Sequence, residues 1–476
     1  MALTLDWQAP ALRYAAGMDW RTFAVFGTTA LVGCGGGSGD GTASASASAS
    51  ASAEDSLTAS ATLATDGSSS GVSATSQSTT SPDGSGSSDS SAADSTGGIK
   101  FDMAPLPDVD APCGGKGGAV DFSFIWIANS DQGTISKIDT QTLIEHGRYR
   151  VRPDSAGSPS RTSVNLQGDV AVANRNGGIT KVLADATDCV ESNGQPGIQT
   201  SSGAADILAW GDDECVAWYT PMAHTTQRPV AWTAGTYDPA TCSYADPKVW
   251  TAGATVGANG SVVVTRLNGD TGAVEDVIAV PELLVGGFGP YGGAVDGESN
   301  FWFIDSGNDR VDAPLVRVDA ITLEYEIWTS PAISPYGLAV DTQGRPWIAG
   351  FTGGVARFDP IGGTFDVNGD TTGLGMMPDA EGRMWVATHP SAGTGVFALD
   401  VDTMAQVALI DLPTVLAWGI SVDFYGYVWV VDRGASIAYR VDPDDGSFES
   451  YAGLTGAYTY SDMTGWGLNL VTNPEG

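Results

Sequence analysis

The sequence predicts an all-β protein, a seven-bladed β-propeller, and three observations carry that expectation. A strand-turn unit recurs at a propeller-blade period, turn residues punctuate it, and no stretch of any length has helical periodicity. Four copies align without gaps at their key positions. They begin Pro290-Tyr-Gly-Gly-Ala-Val-Asp296, Pro335-Tyr-Gly-Leu-Ala-Val-Asp341, Leu374-Gly-Met-Met-Pro-Asp379 and Trp418-Gly-Ile-Ser-Val-Asp423, and each reaches a tryptophan flanked by apolar residues. A third run ending near Arg317, Arg357, Leu399 or Arg440 follows, and then a fourth such as Tyr325-Glu-Ile-Trp-Thr329. Three weaker copies lie upstream, so the second-strand markers fall at 126, 171, 250, 302, 347, 385 and 429. These steps suit blades of about 40–50 residues, except from 171 to 250, where insertions around 188–210 and 236–247 account for the excess.

A twisted four-stranded sheet has two apolar faces and buries both only against neighbours, so the ring must close. The first copy lacks an inner strand upstream of Phe122, while Ser461–Leu470 reads as a strand. The expectation is therefore a propeller over 101–476, closed by the C-terminal strand, with Trp466–Leu470 pairing beside the first repeat.

The remaining chain is of another kind. From Gly35 to about Gly98 the sequence is almost entirely Ser, Ala, Gly, Thr and Asp, a composition that cannot offset its ordering entropy by burial. Residues 34–100 are thus expected to form a disordered linker, a tether with an end-to-end distance of about 45 Å. Before it, Thr22–Val32 is apolar but too short to span a bilayer, and it meets Leu31-Val-Gly-Cys34. This segment resembles the lipobox of bacterial lipoproteins, with residues 1–33 as signal peptide and Met18 as a second candidate start. The resemblance implies lipidation of Cys34, a lipid anchor to the membrane, and a place in the bacterial cell envelope. Gly35 after the cysteine implies the outer membrane, on its periplasmic or surface face.

Charge narrows the partners. With 56 acidic against 21 basic residues and a net charge of −35, the chain offers no basic stripe for nucleic acid. A solvated acidic surface suits a soluble monomer, and Asp clusters could also collect Ca²⁺. Cys113, Cys189, Cys215 and Cys242 match no zinc spacing and read as two disulfides, with three connectivities open. Cys189 with Cys215, which bracket one insertion, is favoured, leaving Cys113 with Cys242.

The repeat Pro-Tyr-Gly-x-Ala-Val-Asp…Trp…Arg-x-Asp resembles that of the virginiamycin B lyases (streptogramin lyases) and, more loosely, NHL-type propellers, over about Phe122 to Asn473. That resemblance implies a lyase that opens a cyclic depsipeptide by elimination, with a histidine base and Mg²⁺ held by acidic residues. Where such lyases read Pro-His-Gly before the inner strand, this chain has Tyr291, Tyr336 and Trp418. Where their second strand ends in Glu, it has Asn129, Asn174, Asp305, Gly350, Thr388 and Asp432.

The candidate catalytic base is therefore His389, which directly follows a second strand, and the candidate ligands for Mg²⁺ or Ca²⁺ are Asp305 and Asp432. The candidate ligand-binding ring comprises Asn129, Asn174 and Arg175 from strand ends, with Arg161, Arg228, Tyr291, Tyr336 and Trp418 entering from preceding loops. Mixed aromatic and polar groups at a channel mouth suit either a cleft for an unknown ligand or protein, or a plug that stabilises the funnel. Two motif matches fail on context: Gly287–Gly292 fits G-x-G-x-x-G but leads into a strand, and Asp366–Asp370 lacks the glycine and glutamate of a calcium loop. Two functions thus stand: a ligand- or protein-binding module, and a lyase.

Overall fold

The computed structural model describes residues 123–241, 243–306 and 314–473, and these form a ring of seven antiparallel sheets. Six sheets have four strands in sequence order from the channel outward. Their inner strands are Pro159–Val164, Thr226–Trp232, Gly289–Val295, Pro335–Val340, Gly373–Pro378 and Ala417–Val422. Nearly every residue of these strands is buried, whereas outer strands such as Val274–Val280 and Gln406–Ile410 are largely exposed. That gradient is what a ring of face-packed sheets requires.

The tryptophans lie between blades, and the repeat's aspartate explains their fixed spacing. Asp341 Oδ1 accepts the backbone N–H groups of Gln343 and Arg345, at 2.9 and 3.0 Å, which closes the inner hairpin. Its Oδ2 accepts the Trp347 indole N–H at 2.8 Å and the Arg345 side chain at 2.7 Å. Asp379 and Asp423 do the same for Trp385 and Trp429, and Asp296 does so for Trp302. A buried indole N–H thus meets a buried carboxylate six residues upstream, and both polar groups are satisfied. The same turn needs a left-handed residue, supplied by Gly344 at φ 75° and by Ser299 at φ 66° in the fourth blade. Blade two carries Ala171 in place of tryptophan. There Trp232, from the next blade's inner strand, joins the same core, with the Lys181 ammonium 5.3 Å from its ring.

Ring closure by the C-terminal strand is present, but it lies further upstream than Trp466–Leu470. Blade one contributes only Phe124–Asn129, Thr134–Asp139 and Glu145–Arg150. The tail fills the inner position over Gly456–Met463, running antiparallel to the first strand: Asn129 pairs with Ala457, Tyr458 N donates to Ala128 O at 3.1 Å, and Trp126 N donates to Met463 O at 2.9 Å. Trp466–Leu470, expected to pair beside the first repeat, instead lies in a short helix, Trp466–Thr472. Gly465 at φ 87° turns the chain, and the Asp462 carboxylate accepts the N–H groups of Gly465 and Leu468, meeting donors that a helix start leaves open. The helix lies against the far ends of inner strands, with Trp466 donating to Pro378 O and Gly467 against Met377.

Cys189 and Cys215 form a disulfide within the blade-two insertion, as favoured. Cys113 and Cys242 lie outside the described residues, as do Cys34, the signal segment and the tether. The second insertion is a two-stranded hairpin, Thr236–Asp238 with Ser243–Ala245. Gly289–Val295 and Thr364–Asn368 are blade strands, so neither motif match forms a phosphate or calcium loop. No helix among the described residues is long and apolar enough to cross a membrane.

Candidate functional site

The inner strands all begin at one end of the channel, where the second strands finish. Paired positions make the register plain: Pro290 faces Asp305, Pro335 faces Gly350, Ala417 faces Asp432 and Ala457 faces Asn129. The residues that follow, Tyr291, Tyr336, Trp418 and Tyr458, therefore occupy one level of the ring.

They meet at its centre. The hydroxyls of Tyr291, Tyr336 and Tyr458 form a closed triangle, with O···O distances of 3.1, 2.7 and 2.6 Å. Trp418 packs edge-on to Tyr336 with centroids 5.2 Å apart, and Tyr460 stacks on Tyr336 at 4.6 Å. Four guanidiniums surround these rings. Arg161 is fully buried, stacks on Tyr460 and donates to the carbonyls of Tyr291 and Tyr460. Arg228 lies 4.8 Å from the Tyr291 centroid, Arg175 lies 4.1 Å from Tyr458, and Arg433 lies 4.7 Å from Trp418.

Charge and burial compete here. Burial pulls the Arg161 pKa down to about 9, with Tyr336, Tyr291 and Tyr458 resisting and Arg228 assisting. Burial also pushes Tyr291 and Tyr336 well above the usual phenol range. Burial opposes ionisation of Tyr458 too, but Arg228, Arg175 and the hydrogen bonds of its two tyrosine neighbours outweigh it and bring its pKa to about 8.

Of the residues picked out in the sequence, Arg161, Arg175, Arg228, Tyr291, Tyr336 and Trp418 come together at this mouth. Asn129 and Asn174 do not join them as ligand groups. Asn129 donates to Ser136 Oγ and accepts from Thr455 N, while Asn174 Nδ2 donates to Val151 O, so these groups are spent on contacts within the blades. The Asp432 carboxylate is occupied by four backbone N–H groups, from Val415, Leu416, Gly434 and Ala435, which gives it a loop-holding role. Asp305 is fully buried at the end of its strand. Among the described residues no group of three metal-ligating side chains is found. His389 reaches the rim through an edge contact with Phe351, its Nδ1 bonds Ser391 Oγ, and burial alone lowers its pKa. No ion pair to it is found among the described residues.

Sequence reasoning missed Tyr458, Tyr460, Arg433, Phe288 and Phe351. The two tyrosines were legible in principle, because Gly-Ala-Tyr-Thr-Tyr460 lies just upstream of the segment read as the closing strand. At the opposite end a cavity of about 30 Å³ is lined by Trp232, Leu338, Val340, Met377, Asp462 and Leu468. It has room for about one water and is no ligand site.

The chain is thus a seven-bladed propeller whose one mouth is built from arginines and aromatic rings. No family model matches it, and no curated protein matches it. Among solved structures it is similar to virginiamycin B lyase from Staphylococcus aureus, at 13% identity over 64% of this chain and 89% of that one, with a TM-score of 0.43. It is also similar to a streptogramin B lyase, at 15% identity over 64% and 86% of the two chains and a TM-score of 0.43. A functionally unknown protein from Desulfotomaculum acetoxidans DSM 771 aligns at 11% identity over 71% and 99%, with a TM-score of 0.48. These likenesses concern the fold alone.

Proposed function

We propose that this protein is an exported, lipid-anchored binding module that takes a ligand at the mouth formed by the heads of its inner strands. The observation that carries this reading is convergence. Six residues chosen from five repeats, Arg161, Arg175, Arg228, Tyr291, Tyr336 and Trp418, gather at one channel end. Arg433 and Phe288 stand exposed above them, and a cluster of this composition is what ligand mouths use. Cys34 supplies the lipid anchor, residues 34–100 the tether, and the propeller works as a monomer.

The binding reading is preferred to the lyase reading because His389 has no ion pair among the described residues and the Asp432 carboxylate is held by backbone N–H groups. Two experiments test the proposal. A thermal-shift screen of the full chain in detergent should find ligands whose effect disappears in Trp418→Ala. Detergent-phase partitioning should be lost in Cys34→Ser. A screen whose responses all survive Trp418→Ala would refute the mouth as the binding site, and unchanged partitioning of Cys34→Ser would refute the anchor.

A further inference from the structure

We infer that the mouth contains an oxyanion subsite, which takes the carboxylate, sulfate or phosphate of a small organic ligand on Arg161, Arg175 and Arg228. This rests on the binding reading above and adds the chemistry of what is bound.

Several buried donors converge at the mouth. Arg161 Nη2, Arg175 Nε, Arg228 Nε, Trp418 Nε1 and the Tyr460 hydroxyl are all buried and have no hydrogen-bond partner among the described residues. Each unmet buried donor costs about 1–3 kcal/mol, so five in one cluster need a reason. Among the described residues, none of Arg161, Arg175, Arg228 and Arg433 forms an ion pair. Elsewhere in the same acidic chain the pairing is ordinary: Arg266 holds Asp276, Arg345 holds Asp341, Arg357 holds Asp366 and Arg383 holds Asp379. Of the acids that end second strands at this level, Asp432 is held by backbone N–H groups and not by these arginines.

A purely structural plug explains part of this but not all. Stacking a guanidinium on tyrosine satisfies its face, whereas its N–H groups lie in the plane and still need acceptors. An oxyanion supplies them, and two guanidinium edges suit it as no neutral group does. The depressed Tyr458 phenol points the same way, since Arg228 and Arg175 favour negative charge beside them. Access runs past Phe288, 43% exposed, and Arg433, so the ligand's ring or chain would rest on aromatic faces at the rim.

The test uses the full chain in detergent at pH 7, with sulfate, phosphate, acetate and glucuronate as separate probes and chloride at matched ionic strength as the reference. At least one oxyanion should raise the melting midpoint by about 2–4 °C, saturably. Acetate and glucuronate responding alone would assign a carboxylate, and phosphate or sulfate alone would assign those groups. Arg228→Gln should weaken that response at least tenfold, and this variant removes no side-chain hydrogen bond found among the described residues. Arg357→Gln, on a blade flank, should leave the affinity unchanged. If no oxyanion acts differently from chloride, or if Arg228→Gln responds like the parent, the inference is overturned. A neutral ligand lost in Trp418→Ala alongside inert oxyanions would overturn this inference and leave the binding reading standing.

Discussion

Replacing Tyr458 by phenylalanine should remove a phenol that titrates far below the usual range. The hydroxyl lies 2.7 and 2.6 Å from those of Tyr291 and Tyr336, and the ring lies 4.1 Å from Arg175 and 4.9 Å from Arg433. Burial alone would keep it neutral, but Arg228 and Arg175 bring its pKa from 10.0 to about 8. Two pKa units correspond to about 3 kcal/mol of preference for the ionised form in the folded state. The sign follows from the direction. A phenol whose pKa is depressed by folding adds stability that is complete above about pH 10 and is lost as pH falls through about 8. Relative to Tyr458→Phe, the parent should therefore gain stability between pH 8 and 10. Below pH 8 the difference reduces to the two lost hydroxyl contacts, at about 1 kcal/mol each. A difference titration of phenolate absorbance near 295 nm reads the group directly, with burial keeping Tyr291 and Tyr336 out of the window. If no phenol titrates below about 9.5, or if the low transition survives in Tyr458→Phe, the electrostatic account of the mouth is wrong.

Other outcomes follow from the blades and their closure. Asp379→Ala, which strips acceptors from Trp385, Arg383 and two backbone groups, should cost about 2–4 kcal/mol in urea denaturation, and an effect below about 0.5 kcal/mol would contradict the role given to the repeat aspartate. Ending the chain before Trp466 should leave a cooperative transition at a lower midpoint. Ending it before Gly456 should abolish the transition, because blade one then loses its inner strand. Equal loss in both truncations, followed by circular dichroism, would place the closure in the helix instead. Reducing Cys189–Cys215, which spans 26 residues, should lower stability by about 3.5 kcal/mol, measured as a shift of the denaturation midpoint with and without reductant.

The blade count was readable because a blade is a local object. Its hairpin aspartate, its tryptophan six residues later and its turn glycine are close in sequence, so periodicity exposes them. Closure was less readable because the residue choosing helix over strand is Gly465, whose left-handed turn hands the Asp462 carboxylate to the N–H groups that follow. Apolar Leu468 and Leu470 fit either period over so short a run. The mouth was readable for residues that repeat in register, such as Tyr291, Tyr336 and Trp418. Asn129, Asn174 and Asp432 share that register but point their polar atoms into the backbone, which spacing alone does not reveal. Arg433 and Phe351 follow second strands, where loop paths and not sequence period decide what faces the channel.

Crystals grown with a saturating concentration of whichever oxyanion shifts the melting midpoint would show whether the arginine edges have the acceptor they lack. Density for that anion within hydrogen-bond distance of Arg161 Nη2 and Arg228 Nε is the expected result. Density elsewhere only, with those two nitrogens facing protein carboxylates or nothing, would contradict the account.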